Sequence, residues 1–153
     1  MSRRAKAIEP SEPFLETLCL VRVRFQEVDS LRVTWHGHYL TYFEEGRNAF
    51  GRQYGFGYQD ILAAGLIAPL VHVELDYLAP SHFDELLEVR TRLHLVPGAR
   101  LVFSYRVQGK DATLKVKGQT VQVFTDTKGE LLLCRPAFYE AFLERWKGNV
   151  QAV

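Results

Sequence analysis

Residues 36–54 read HGHYLTYFEEGRNAFGRQY and carry the clearest structural pattern of the 153-residue chain. Apolar or small residues recur in it at three- and four-residue spacing: Tyr39, Phe43, Gly46 and Phe50. Polar and charged side chains surround them, which is the pattern of a helix with one buried face. The segment therefore predicts one long amphipathic helix from about His36 to Tyr54, ended by the glycines at 55 and 57.

The hydrophobic period changes to two on either side of this helix, as expected for half-buried strands. One strand is predicted before the helix, over Thr17–Phe25, with Cys19, Val21, Val23 and Phe25 on one face. Four more are predicted after it, near 71–77, 87–95, 101–107 and 113–125. Turn signals such as Pro97-Gly98 join them by short connections, so we expect an antiparallel sheet. With one long helix to cover the apolar face of that sheet, the fold class is α+β.

The last long strand changes the parity of its apolar residues. Leu114 and Val116 are even-numbered, whereas Val121 and Val123 are odd-numbered, and Gly118 lies at the change. A glycine inside a strand pattern is typical of a bulge. We therefore predict a β-bulge at Gly118.

The two ends of the chain carry weaker signals. Residues 1–15 are polar, contain two prolines and show no periodicity, so we expect a flexible tail before a single domain over residues 16–148. Residues 131–133 are interpreted as a last short strand. Pro136 then opens a predicted terminal helix, in which Phe138, Phe142 and Trp146 form a stripe at four-residue spacing.

The charge balance excludes several classes of function. Nineteen basic and eighteen acidic residues give a net charge of +1, which is not the footprint of a nucleic-acid-binding or membrane-surface protein. The longest stretch without Asp, Glu, Lys or Arg, 61–73, is too short to span a bilayer. The basic N-terminus has no apolar segment behind it, so we expect no secretory signal and a cytoplasmic location.

The cysteines and most of the histidines carry no motif. Cys19 and Cys134 are expected to be buried free thiols, although a disulfide between them stays open. The histidines at 72, 82 and 94 are expected to be solvated strand residues. His36 and His38 are not expected to bind a metal together, because their side chains diverge at a helix start and no third ligand is evident.

The segment FQEVDSLRVTWHGHYLTYFE, residues 25–44, carries a recognisable motif. Asp29 is followed by His36 seven positions later and by Tyr39 three positions beyond it. Tyr-Leu-Ala-Pro at 77–80 and Lys-Gly-Gln-Thr at 117–120 add to the pattern. Together these residues resemble the hot-dog acyl-CoA thioesterases, specifically the 4-hydroxybenzoyl-CoA thioesterase-like branch. The resemblance extends over about residues 21–146.

This resemblance implies a fold, a reaction and an assembly. The fold would be a hot-dog fold, an antiparallel sheet wrapped around one long central helix, with a C-terminal helix added. The reaction would be hydrolysis of an acyl-CoA to the free acid and CoA, with no metal and no redox cofactor. The protein would form a homodimer or a dimer of dimers, with active sites at the subunit interface.

The resemblance also assigns roles to individual residues. Asp29 would act as general base or nucleophile, and the helix N-terminus at His36 would hold the thioester oxygen. Gly37 would let the acyl group approach the first helical turn, and Tyr39 would line its pocket. Arg100 and Arg135 would bind the phosphates of CoA. No strong general acid is required, because the thiolate of CoA is a good leaving group.

Two positions depart from the family pattern. Position 32 is commonly Gly and is Arg32 here, and position 38 is commonly Asn and is His38. A glycine at 32 would allow a left-handed turn that arginine adopts less easily, and Arg32 is near enough in sequence to pair with Asp29. These departures keep open a non-catalytic acyl-binding module as an alternative function. A hot-dog hydroxyacyl dehydratase is disfavoured, because its catalytic histidine and acidic partner would be placed differently.

Overall fold

The structure, a computed structural model, describes residues 13–152. In chain order its elements are β1 (Phe14–Arg22), α1 (His38–Tyr54), α2 (Tyr58–Ala63), β2 (Leu66–Ile67), β3 (Leu70–Tyr77), β4 (Leu86–His94), β5 (Arg100–Gln108), β6 (Leu114–Val123), β7 (Thr125–Asp126) and α3 (Ala137–Trp146). Single 3-10 turns lie at Phe25–Glu27 and Lys147–Asn149.

The five long strands form one antiparallel sheet in the order β1-β4-β5-β6-β3. A two-stranded ribbon of β2 and β7 lies apart from it. The sheet encloses α1, and the predicted α+β class and hot-dog architecture are confirmed. The strand order places β1 and β3 at the two edges. The helix α1 packs mainly against β1 and β4, and its aromatic side chains reach β5.

The core lies between α1 and the inner face of the sheet. The Phe43 ring stacks on Tyr105 of β5, with ring centroids 4.2 Å apart. Two turns further along the helix, Phe50 meets the Phe103 ring edge to face at 5.3 Å. The predicted apolar face of α1 is therefore confirmed as the buried face, and Gly46 on that face lies against Thr91 of β4.

The bulge predicted at Gly118 is wrong. Gly118 pairs with Tyr105 on one side and Leu75 on the other without a break in register. The irregularity between β5 and β6 lies near the start of β6, where the pairing changes between Val107 and Gln108. A Cβ at Gly118 would stand 2.6 Å from the Phe43 ring, so the glycine lets the helix approach the sheet.

The first strand begins earlier than the pattern predicted. Phe14 and Leu15, both buried, belong to β1, and the strand ends at Arg22 instead of continuing to Phe25. Phe25 lies in a 3-10 turn with 76% of its surface exposed, so it does not share the inner face of Val23. Residues 1–12, most of the expected tail, lie outside the described residues.

His94 is buried, which contradicts the expectation of a solvated strand histidine. It is the last residue of β4, and the Phe14 ring lies 6.1 Å from the imidazole. Its Nε2 atom lies 2.7 Å from the Ser104 hydroxyl. Burial, assisted by the positive charge of Arg92, lowers the pKa of His94 to about 4. His72 and His82 are at least partly exposed, beside Glu74 and Glu85 respectively.

The cysteines are both free, as expected, but neither is fully buried. Cys19 is half-buried in β1, and Cys134 is exposed in the loop before α3. That loop also contains residues 131–133, which form a single β-bridge between Leu131 and Thr125 instead of the expected strand.

The terminal helix is confirmed, with Pro136 at its N-cap. It packs against the C-terminal end of α1, where the Phe142 ring lies 4.2 Å from Phe56. The indole nitrogen of Trp146 donates to the Tyr54 carbonyl at 2.9 Å. Within the described residues, no helix is long and apolar enough to cross a membrane.

Candidate functional site

Asp29 lies in a tight loop whose two sides are held together by backbone hydrogen bonds. Val28 and Thr34 form a β-bridge, and the Asp29 amide donates to the Val33 carbonyl at 3.0 Å. The Asp29 Oδ1 atom accepts a hydrogen bond from the Leu31 amide at 2.8 Å. Within residues 13–152, no protein group donates to the other carboxylate oxygen, so that oxygen can accept from a ligand or water.

Arg32 adopts the left-handed conformation that glycine would favour at this position. Its φ angle is +64°, and its amide donates to the Asp29 carbonyl at 2.9 Å. In the described part of the chain, no ion pair joins Arg32 to the Asp29 carboxylate. The loop therefore keeps a turn suited to glycine despite the arginine, and Asp29 keeps its carboxylate free of that guanidinium.

The helix begins at His38, two residues later than predicted, with Gly37 at its N-cap. The His38 amide donates to the Trp35 carbonyl at 3.0 Å, which closes the turn into the helix. The following amides have no acceptor in an earlier helical turn, because the helix starts here. The His36 side chain is exposed beside the Trp35 ring, and the His36 carbonyl accepts from the Tyr77 hydroxyl at 2.8 Å.

Gly37 packs against Trp35. The indole ring occupies the space in which a Cβ at position 37 would stand. A larger residue at position 37 would therefore displace the Trp35 ring from the helix start. Any acyl group that reaches this turn must approach from the side that Trp35 leaves open.

Asp29, His36 and Tyr39 share the wall of one cavity of about 380 Å³. Its remaining lining comes from the Asp29 loop and from the segment after β3: Leu31, Val33, Thr34, Tyr77, Leu78, Ala79 and Pro80. Three predicted site residues are therefore brought together, from the loop, the turn before α1 and the first helical turn. The cavity combines an available carboxylate oxygen with the N-terminus of α1.

Arg100 and Arg135 lie at the other end of the sheet within the chain. Arg100 pairs with Val123, at the far end of β6 from Val116, which pairs with Tyr77 beside the cavity. Val123 lies seven positions after Val116 along the strand, a distance of about 24 Å. Arg135 donates to the carbonyls of Gly98 and Val96 at 2.9 and 2.6 Å, so much of its hydrogen-bonding capacity is used in holding the loop between β4 and β5.

A buried polar cluster lies behind the cavity and was missed by the sequence analysis. The hydroxyls of Tyr39 and Thr34 lie 2.7 and 2.8 Å from the Ser81 hydroxyl. Tyr42 donates to the Glu27 carboxylate at 3.2 Å, and its oxygen interacts with the Thr34 hydroxyl. We call these five residues, each at most 6% exposed, the hydroxyl chain.

Electrostatics in the hydroxyl chain favour a neutral Tyr42. Burial, and then the negative charge of Glu27, raise the pKa of the Tyr42 phenol well above its usual value. The sequence offered no signal for the cluster, since Glu27 and Ser81 are 54 positions apart and belong to no hydrophobic period. Only the proximity of Tyr39 and Tyr42, three residues apart on the predicted helix, could be inferred from the sequence.

Metal-ligating side chains do not converge at this site. Among residues 13–152, no group of three or more His, Cys, Asp or Glu side chains is placed to hold a metal ion. The His36 and His38 rings both contact the Trp35 ring, with centroids 4.7 and 5.4 Å from it.

Comparison with known proteins identifies the family. A family model described as the thioesterase-like superfamily matches residues 23–145. The chain belongs to the thioesterase-like superfamily. The match extends from the end of β1 to α3 and so includes both the Asp29 loop and the whole of α1.

Two relatives show the resemblance at the level of sequence. The acyl-CoA thioesterase YbgC of Haemophilus influenzae is 33% identical over 104 residues, which cover 67% of this chain and 75% of that protein. The acyl-CoA thioester hydrolase YbgC of Escherichia coli is 27% identical over 106 residues, which cover 69% and 79% of the two chains.

A solved structure supports the fold. Slr0204, a 1,4-dihydroxy-2-naphthoyl-CoA thioesterase from Synechocystis, superposes with a TM-score of 0.76 and covers 86% of this chain and 98% of its own. At 19% identity this similarity shows the hot-dog fold alone.

Proposed function

We propose that this member of the thioesterase-like superfamily hydrolyses acyl-CoA thioesters to the free acid and CoA, with Asp29 as general base. The observation that carries the proposal is the cavity in which Asp29 and the α1 N-terminus meet. A thioester hydrolase needs a group that activates water and donors for the oxyanion that develops. The names of the two YbgC relatives support an acyl-CoA substrate.

The reaction needs two proton transfers, one from the attacking water to Asp29 and one from Asp29 to the departing thiolate. Asp29 takes a proton from a water molecule as the water oxygen adds to the thioester carbonyl. The resulting oxyanion is held by the amides of the first turn of α1 and by the positive end of the helix dipole. The tetrahedral intermediate expels the CoA thiolate, which receives the proton from Asp29, and the carboxylic acid is released.

His36 stands at the mouth of the cavity, where its imidazole can donate to the thioester oxygen. Within the described residues its ring makes no hydrogen bond to another protein group, so it is available to a ligand. Tyr39 supplies apolar wall for the acyl group. Gly37 acts through the close packing of Trp35, which fixes the turn that presents the helix amides.

We further propose that the protein works as a homodimer, joined through the free edge of β3. The other edge strand, β1, is partly covered by its own chain: the Phe14 and Gln151 backbones bond to each other, and the Tyr54 hydroxyl donates to the Glu16 carbonyl. Along β3 no group of residues 13–152 bonds to the outer backbone edge. The strand has no lysine or proline and exposes 58% of Val71, so it is suited to pairing.

An antiparallel β3–β3 pairing would bring the Arg100 end of one subunit to the Asp29 end of the other. Val123, which pairs with Arg100, donates to the carbonyl of Pro69, directly before β3. In a two-fold pair the start of one β3 meets the end of its partner. The partner's Arg100 could then reach the CoA phosphates, which explains how it can serve a cavity about 24 Å away in its own chain.

The proposal is tested by thiol release from a panel of acyl-CoAs that differ in chain length and aromaticity. Catalytic turnover whose kcat falls by about 10²–10⁴ in Asp29→Asn supports it. An acyl-binding module would bind the same compounds without releasing thiol, and a dehydratase would release water from a hydroxyacyl-CoA instead. A dimer of dimers and a cytoplasmic location remain predictions.

A further inference from the structure

The hydroxyl chain connects the three segments that form the cavity wall. Glu27 and Thr34 belong to the Asp29 loop, Tyr39 and Tyr42 to α1, and Ser81 to the connection between β3 and β4. Side-chain hydrogen bonds of 2.7 and 2.8 Å join all three segments at Ser81. The Thr34 amide also donates to the Ser81 carbonyl at 2.9 Å.

Glu27 holds both sides of the Asp29 loop. Its Oε1 atom accepts from the Arg24 amide at 2.8 Å, and its backbone carbonyl accepts from the Trp35 amide at 2.8 Å. The Trp35 carbonyl in turn accepts a hydrogen bond from the amide of His38, the first residue of α1. One buried residue therefore sets where the loop begins, where it ends and where the helix starts.

A carboxylate is a costly choice for a purely structural position. Glu27 is 6% exposed, and taking a carboxylate out of water is expensive unless its hydrogen bonds are satisfied. An apolar side chain could fill the same space without that cost. Because a carboxylate only accepts hydrogen bonds, it fixes the Tyr42 hydroxyl as a donor and restricts the arrangement of the hydroxyls beyond it.

We propose that the hydroxyl chain positions the reacting groups for thioester hydrolysis: Glu27 anchors Tyr42, Thr34 and Ser81, and together these residues fix the Asp29 loop relative to the first turn of α1. This inference rests on the proposed function. The geometry matters because displacement of a reacting group by about 1 Å can cost about 100-fold in rate.

The test uses Tyr42→Phe, which keeps the ring and removes only the hydroxyl, with Ser81→Ala as a second break in the same chain. Each is expected to lower kcat about 10- to 100-fold while KM stays within about twofold. Tyr105→Phe is the matched control, since this buried tyrosine also loses a bonded hydroxyl, which contacts Thr120 and Arg47 outside the hydroxyl chain. Its kcat is expected to stay within about twofold of the wild-type value.

A double-mutant cycle separates positioning from general loss of stability. In an Asp29→Asn background, Tyr42→Phe is expected to change kcat by less than about twofold, because there is no longer a base to position. Hydrogen exchange of the Asp29 and Leu31 amides, measured without substrate, is expected to accelerate in Tyr42→Phe and to be unchanged in Tyr105→Phe.

The outcomes distinguish the inference from the proposed function. If wild type turns over and Asp29→Asn is slowed by about 10²–10⁴, but Tyr42→Phe and Ser81→Ala behave like Tyr105→Phe, the positioning role is overturned alone. A full loss of rate from Tyr42→Phe in the Asp29→Asn background also overturns it. If wild type hydrolyses no acyl-CoA, the proposed function fails, and the amide exchange still reports whether the hydroxyl chain holds the loop.

Discussion

The amide of Arg32 donates to the carbonyl of Asp29 at 2.9 Å, and Arg32 makes this bond with a φ angle of +64°. The turn that presents the Asp29 carboxylate thus depends on an arginine in a conformation that favours glycine. Strained backbone often accompanies functional loops. Here it maintains the turn in which the Leu31 amide also caps one carboxylate oxygen.

Arg32→Gly is expected to stabilise the fold. Glycine adopts φ near +60° without the steric penalty of a Cβ atom, which stabilises the folded state. Its larger conformational entropy in the unfolded chain cancels part of that stabilisation. The free energy of unfolding should therefore rise by about 0.5–1 kcal/mol. Chemical denaturation measures the change. Ser30→Gly is the control, because position 30 has no positive φ and the substitution should be neutral or destabilising. A loss of stability in Arg32→Gly would contradict the assigned turn.

His94 is expected to make stability depend on pH below neutrality. Its pKa is about 4 in the fold, against about 6.5 when unfolded, so between these values the unfolded chain binds more protons. The stabilisation is complete above pH 6.5 and is lost as pH falls towards 4, by an amount on the order of 3 kcal/mol.

The pH dependence is measured by urea denaturation of wild type and His94→Gln at pH 7, 5.5 and 4. The variant should show a flatter dependence, since it lacks the titrating group. His82→Gln, at an exposed position, should follow wild type. Equal slopes for wild type and His94→Gln would show that His94 is not held neutral by burial.

Arg100 and Arg135 are expected to differ when each is replaced by alanine. Arg100→Ala should raise KM for acyl-CoA several-fold with little change in kcat, because it would remove a phosphate contact made across the dimer. Arg135→Ala should lower the melting temperature as well, since this side chain holds the carbonyls of Val96 and Gly98. Steady-state kinetics and thermal melts measure both effects. An unchanged KM for Arg100→Ala would show that Arg100 does not bind the CoA phosphates.

The free edge of β3 predicts the effect of a charge placed on it. Val71→Lys should convert the dimer to a monomer and reduce activity, because the lysine would enter the paired edge. Leu18→Lys, at an exposed position on β1, is the control and should leave the mass unchanged. Light scattering measures the mass at micromolar concentration. A wild-type monomer, or a Val71→Lys dimer, would contradict the proposed interface.

The sequence predicted the elements whose pattern is local. The three- and four-residue spacing of Tyr39, Phe43 and Phe50 was sufficient to place α1 and its buried face. The position of Gly118 was misread, because its role depends on the Phe43 ring, which lies 75 positions away and is invisible to a parity argument. The prediction that His94 is solvated was wrong for the same reason, since Phe14 of a neighbouring strand helps to bury it.

In the candidate site, too, the sequence predicted the residues that lie close together along the chain and not those that the fold brings together. Asp29, His36 and Tyr39 lie within eleven residues, so a linear motif could bring them together. The prediction that Arg135 binds CoA phosphates stays untested, and its bonds to two backbone carbonyls could not be foreseen, because backbone acceptors carry no sequence signal. Glu27 and Ser81 could not be paired without the fold, since their link passes through α1.

The role of Asp29 is tested most directly by the rate of CoA thiol release by wild type and Asp29→Asn under identical conditions, with a thiol reagent as readout. We expect turnover by wild type, a loss of about 10²–10⁴ in kcat for Asp29→Asn, retained binding of acyl-CoA and a melting temperature close to that of wild type. Full activity per folded molecule of Asp29→Asn, accompanied by a large loss of stability, would contradict this expectation and make Asp29 a structural turn residue.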